Sequence, residues 1–92
     1  MTIYEEKDYE YLMERGLRFL NMAENYYEEK KFGFAIKQYY YAAMCFEMAK
    51  EIAIKGVDVN LQIQAKEKEF YCLEKIDELE QFKQVSIDEN VK

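Results

Sequence analysis

The sequence predicts an all-α fold, an antiparallel three-helix bundle, and three observations carry that prediction. The 92 residues include no proline and only three glycines, and Glu, Lys, Ala, Leu and Met abound, all of which favour helix over strand. Apolar residues recur every three or four positions in three separate segments. Between Ala23 and Ala49, small and aromatic residues alternate as in an antiparallel helix hairpin: Ala35, Ala42 and Ala49 repeat every seven residues, with Tyr39 and Phe46 between them. Alanines on one side of a helix let a neighbour approach closely, and the rings grip it. A chain of this length makes one domain with little stability to spare.

The first helix starts at a capping box, Thr2 with Glu5 three residues later, which satisfies two backbone donors, and it runs to about Lys30. Tyr9, Leu12, Gly16, Phe19, Ala23 and Tyr26 form its apolar stripe, widened by Met13, Leu17, Leu20 and Tyr27. Gly16 inside that stripe costs roughly 1 kcal/mol relative to alanine, so a close helix crossing is expected there. The turn centres on Lys30 to Gly33, and so short a loop makes the next helix antiparallel.

The second helix is expected from about Phe34 to Lys55, closed by Gly56 as a left-handed cap. Ala35, Tyr39, Ala42, Phe46, Ala49 and Ala53 share one stripe, and Tyr41, Cys45, Met48 and Ile52 form another about a third of a turn away. Ala42 and Ala49 are expected in the contact with the first helix. One neighbour covers one stripe, so the second stripe must meet the third helix, a dimer mate or a ligand helix. Tyr40 and Met44 extend the apolar surface further round, among Lys37, Glu47, Glu51 and Lys55. Three consecutive tyrosines cannot all face inward, and tyrosine with methionine is the mixture of adaptable helix-binding surfaces.

Val57 to Val59 make the second link, and Asn60 is expected to cap a third helix carrying Leu61, Ala65, Cys72, Ile76, Leu79 and Phe82 and ending near Lys83. Residues 84–92, QVSIDENVK, have no period and read as a flexible tail, so the bundle domain is placed at 1–83. The hairpin pattern is not repeated, which excludes a solenoid of stacked units.

The net charge of −6, with acids and bases interspersed, argues against a nucleic-acid surface and favours a basic partner. No apolar run approaches the roughly twenty residues of a membrane span. The start, MTIYEEKDYEY, is acidic where a signal peptide is basic and then apolar, so a cytoplasmic location without membrane insertion is expected. Cys45 and Cys72 lack metal-ligand spacing and read as buried, reduced thiols, a disulfide between the second and third helices being the alternative.

Catalytic constellations are missing from the sequence. Histidine is absent, the single serine is Ser86, and no glycine-rich phosphate loop exists. Glu24, Glu28, Glu47, Glu74 and Asp77 are interspersed with lysines and read as solvated faces. A non-enzyme that needs no cofactor or metal is expected.

Residues Ala23 to Ala42 resemble one tetratricopeptide unit, with Lys30 standing where the turn glycine is common. With the third helix added, residues 10 to 83 more closely resemble the MIT (microtubule interacting and trafficking) domain. CLEKIDEL, Cys72 to Leu79, is set against a family pattern of aromatic, Leu, any residue, Arg or Lys, Ala, Glu, any residue, Leu. Leu73, Lys75, Asp77 and Leu79 fit; Cys72 replaces the aromatic and Ile76 the alanine. This resemblance implies binding of helical or extended tails of ESCRT-III subunits in grooves beside the third helix. A bulky Ile76 would narrow the groove between the second and third helices. Tyr39 to Val57 is also similar to the second helix of HEPN domains, whose ribonucleases use an Arg-to-His motif that a chain without histidine cannot contain. That resemblance implies an inactive, dimeric accessory subunit of a toxin-antitoxin or nucleic-acid-defence complex.

The functional expectation is a protein-protein interaction module that binds a basic amphipathic segment with leucines at helical spacing. The expected contact residues are Tyr40, Tyr41, Met44, Glu47, Met48 and Glu51 on the second helix and Leu73, Ile76 and Asp77 on the third. The groove between helices two and three is expected to hold it, or that between one and three if Ile76 closes the first. A homodimer or larger helical oligomer is the alternative.

Overall fold

Three helices follow one another in the computed structural model, which describes the backbone of residues 5–91 and the side chains of residues 7–81. They are α1 (Glu5–Glu28), α2 (Phe32–Lys55) and α3 (Val59–Val91). The all-α bundle is therefore the fold, with α2 in the middle: α1 packs along one flank of α2 and α3 along the other, while α1 and α3 touch little. The capping box at Thr2 lies outside the described residues.

Both turns close with the same hydrogen-bond pattern. After α1, the Lys31 N–H donates to the Tyr26 carbonyl at 2.9 Å and the Lys30 N–H to Tyr27 at 3.0 Å. After α2, the Asp58 N–H donates to Ala53 at 2.9 Å and the Val57 N–H to Ile54 at 3.1 Å. These are Schellman caps, and each needs one left-handed residue just past the helix. Lys30 (φ 63°) and Val57 (φ 56°) supply it. The expected cap at Gly56 is thus corrected: Gly56 is right-handed, with φ −82°, and the left-handed turn falls one residue later. The cap of α3 also shifts, from Asn60 to Asp58, whose Oδ1 accepts the Leu61 N–H at 3.1 Å. The other end of α3 passes Lys83 and continues through residues 84–91.

The core lies on the side of α2 facing both neighbours. Ala35, Tyr39, Ala42, Phe46, Ala49 and Ala53, the first stripe, are all buried. Ala42 joins a cluster with Ala23 from α1 and Cys72, Ile76 and Leu79 from α3. Ala49 joins another, with Tyr9 from α1, Ala53, and Ala65 from α3. Small residues at these points let the axes come close, and Gly16 does so most sharply: a Cβ there would stand 2.5 Å from Cε1 of Phe46. The expected close crossing is at that position. Polar ties hold the flanks. Lys50 on α2 pairs with Glu69 on α3 at 3.0 Å, both largely shielded, and the Tyr9 hydroxyl donates to the Leu61 carbonyl at 2.8 Å.

Candidate functional site

The second stripe of α2 turns toward α1 and is only partly covered by it. The Tyr41 ring packs on Phe19 with centroids 5.3 Å apart, and Cys45 is buried beside them. Met44 and Met48 remain 56% and 52% exposed. Together with Tyr11, Leu12 and Arg15 of α1, these residues line an open apolar groove of about 470 Å³. Among the described residues Arg15 is the only charged one in it, and its guanidinium lies 5.7 Å and 5.6 Å from the Tyr11 and Phe19 ring centroids, with Nη1 donating to the Tyr11 hydroxyl at 3.1 Å. Stacking on rings four residues away on either side holds the side chain along α1, so the groove floor stays apolar.

Tyr40 lies on the far side of this exposed strip and is 47% exposed. Glu47 and Glu51 are exposed beside it. The outward face of α2 therefore combines a tyrosine and methionine surface with flanking charges. On α3, Leu73 and Asp77 are also exposed, but Ile76 is not: at 4% exposure it belongs to the core with Tyr39, Phe46 and Cys72. Its place as a partner contact is corrected accordingly. The α2–α3 face is filled from within by this side chain, and the α1–α3 side offers a smaller cleft of about 360 Å³ lined by Leu20, Gln64, Glu67, Lys68 and Tyr71. The groove between α1 and α2, with Tyr11 and Arg15, escaped the sequence reading. Its signal was the spacing Tyr11, Arg15, Phe19, an aromatic, cation, aromatic series at successive fourth positions.

Glu24 also differs from its sequence reading as a solvated carboxylate. Its Oε2 accepts from the hydroxyl of Tyr39 on α2 at 3.2 Å and from that of Tyr71 on α3 at 2.8 Å, so one carboxylate ties all three helices. Burial, then the Glu24 charge and the hydrogen bond to it, raise Tyr39 above its ordinary value. Burial and then the Glu24 hydrogen bond and charge push Tyr71 up to about 12. The Cys72 thiol is pushed up to about 12, mainly by burial and then by the charges of Glu24 and Glu69. Both cysteines are buried and free. The Tyr39 and Tyr71 hydroxyls and the Cys72 thiol therefore keep their protons at neutral pH.

Among the described residues, no group of His, Cys, Asp or Glu side chains is arranged to hold a metal ion, and no helix is long and apolar enough to cross a membrane. No protein family, curated protein or solved structure matches the chain.

Proposed function

We propose that this chain is a non-catalytic protein-protein interaction module, and that an amphipathic helix of another polypeptide docks along the outward face of α2 and its groove with α1. The observation that carries this reading is the run of exposed Tyr40, Tyr41, Met44 and Met48 beside the open groove. A contiguous apolar surface of this kind is rarely left to water on a monomer, and methionine with tyrosine adapts to a helical ligand at little conformational cost. Glu47 and Glu51 at its edge favour Lys or Arg on the ligand. The likeness to MIT domains supports the same class of activity, a helical tail on a three-helix bundle, with tails like those of ESCRT-III subunits as the ligand it suggests. Those ligands lie beside the third helix; here buried Ile76 favours the α1–α2 side instead.

Site-specific photo-crosslinking tests the proposal. Benzoylphenylalanine at Met44 should trap a polypeptide, and the same probe at exposed Glu74 on α3 should not. Met48→Asp should abolish the Met44 adduct while the far-UV helical signal is retained. Equal trapping at both positions, or none at Met44, would overturn the assignment of this face.

A further inference from the structure

We infer that the docked helix is α2 of a second copy of this chain, in an antiparallel isologous dimer centred on Met44. This rests on the interaction-surface reading and names its occupant. The chemistry of the outward face is what carries it, because that face is complementary to itself when reversed. Lys37 stands seven residues before Met44 and Glu51 seven residues after it, so each lies about 10.5 Å from Met44 along the axis and within about 20° of it around the helix. A two-fold axis passing beside Met44 brings Lys37 of each copy opposite Glu51 of the other, twice over. Neither residue takes part in a salt bridge within its own chain among the described residues.

The remaining exposed residues fall into the same register. On the flank nearer α1, Tyr41 meets Met48 of the second copy; on the other flank, Tyr40 faces Glu47 of the second copy, and Met44 meets its own equivalent. In the chain alone these apolar side chains are exposed, Tyr41 at 39% and Met44 at 56%. Apolar contacts thus lie at the centre and opposite charges at the ends, the arrangement of a specific interface with a polar rim. A parallel pairing would set Lys37 against Lys37 and Glu51 against Glu51, which like-charge repulsion disfavours.

Sedimentation equilibrium of the intact chain over a range of concentrations, combined with charge reversal, tests this. The wild type should approach twice its 11.2 kDa. Lys37→Glu places acid opposite acid in both symmetric pairs and should raise the dimer Kd by about tenfold or more, and Glu51→Lys should do the same. The double variant Lys37→Glu with Glu51→Lys restores both pairs in reversed sense and should recover dimerisation. Both positions are exposed, and the far-UV circular dichroism of each variant is to match that of the wild type. A wild type that stays monomeric at every concentration overturns the dimer; if Met44 still traps a different polypeptide, the interaction-surface reading survives without it. A dimer indifferent to the single reversals, or not rescued by the double one, overturns the antiparallel register.

Discussion

The Cβ that Gly16 lacks would lie 2.5 Å from Cε1 and 2.8 Å from Cζ of Phe46, a ring that is fully buried and has no room to swing away. Two effects therefore compete in Gly16→Ala. Alanine gains about 1 kcal/mol of helix propensity. Overpacking a closed core costs about 1–3 kcal/mol, because α1 and α2 must separate or the ring must leave its rotamer. The steric effect wins at so short a distance, so Gly16→Ala is expected to lower the urea midpoint. Phe46→Leu alone leaves a cavity, yet added to Gly16→Ala it should cost less than the sum of the two single changes, since each relieves the other. A midpoint raised by Gly16→Ala would show that the crossing is loose. The ring and the glycine are one packing unit, and neither alone explains the contact.

Helix boundaries raise a different conflict at the second link. The chain places its glycine at 56, but the Schellman bonds from Val57 to Ile54 and from Asp58 to Ala53 put the left-handed residue at 57. A β-branched residue at φ 56° is strained, by about 1–2 kcal/mol for an ordinary side chain. Val57 is 82% exposed, so it recovers none of this by packing. The start of α3 holds the register: Asp58 must accept the Leu61 N–H, and Leu61 must present its carbonyl to Tyr9. Val57→Gly is therefore expected to raise stability by about 1 kcal/mol after the entropy of the freer unfolded chain is deducted. For a domain of this size that is a Tm higher by roughly 4–8 °C. An unchanged or lower Tm in calorimetry would show that the link does not hold Val57 in the left-handed region.

At the scale of the molecule, the groups around Glu24 set the response to alkali. Cys72 moves from 9.0 to about 12 and Tyr71 from 10.0 to about 12, and Tyr39 is raised as well, with burial the leading cause in each. A raised value means that the folded protein keeps protons that the unfolded chain has already released. The associated stability is fully present below pH 9 and declines as pH rises from about 9 through 12. The urea midpoint should accordingly stay level between pH 7 and 8.5 in this respect and then fall. Glu24→Gln removes the charge that opposes ionisation of all three neighbours, so its fall should be shallower although its stability at neutral pH is lower. A wild-type midpoint unchanged at pH 11 would show that the cluster is open to water.

The helical class, the order of the three segments and the buried stripe from Ala35 to Ala53 were legible in the sequence, because apolar period and residue propensity are local properties that every helix must satisfy before it packs. The crossing at Gly16 was legible too, since an interior glycine is expensive unless something replaces its side chain. Position within a turn was not: Gly56 is a better left-handed cap former than Val57 and Asn60 caps a helix as well as Asp58 does, and the hydrogen bonds that chose Val57 and Asp58 depend on where α3 must lie against Tyr9. Spacing put Ile76 in the apolar series of α3 with Cys72 and Leu79, but it could not tell that Met44 and Met48 face water, because only the placement of α1 and α3 around α2 separates covered from open apolar surface. Glu24 was unreadable for the same reason. Its two tyrosine partners come from other helices, 15 and 47 residues away along the chain, and nothing local distinguishes a carboxylate that ties a bundle together from one that merely faces solvent.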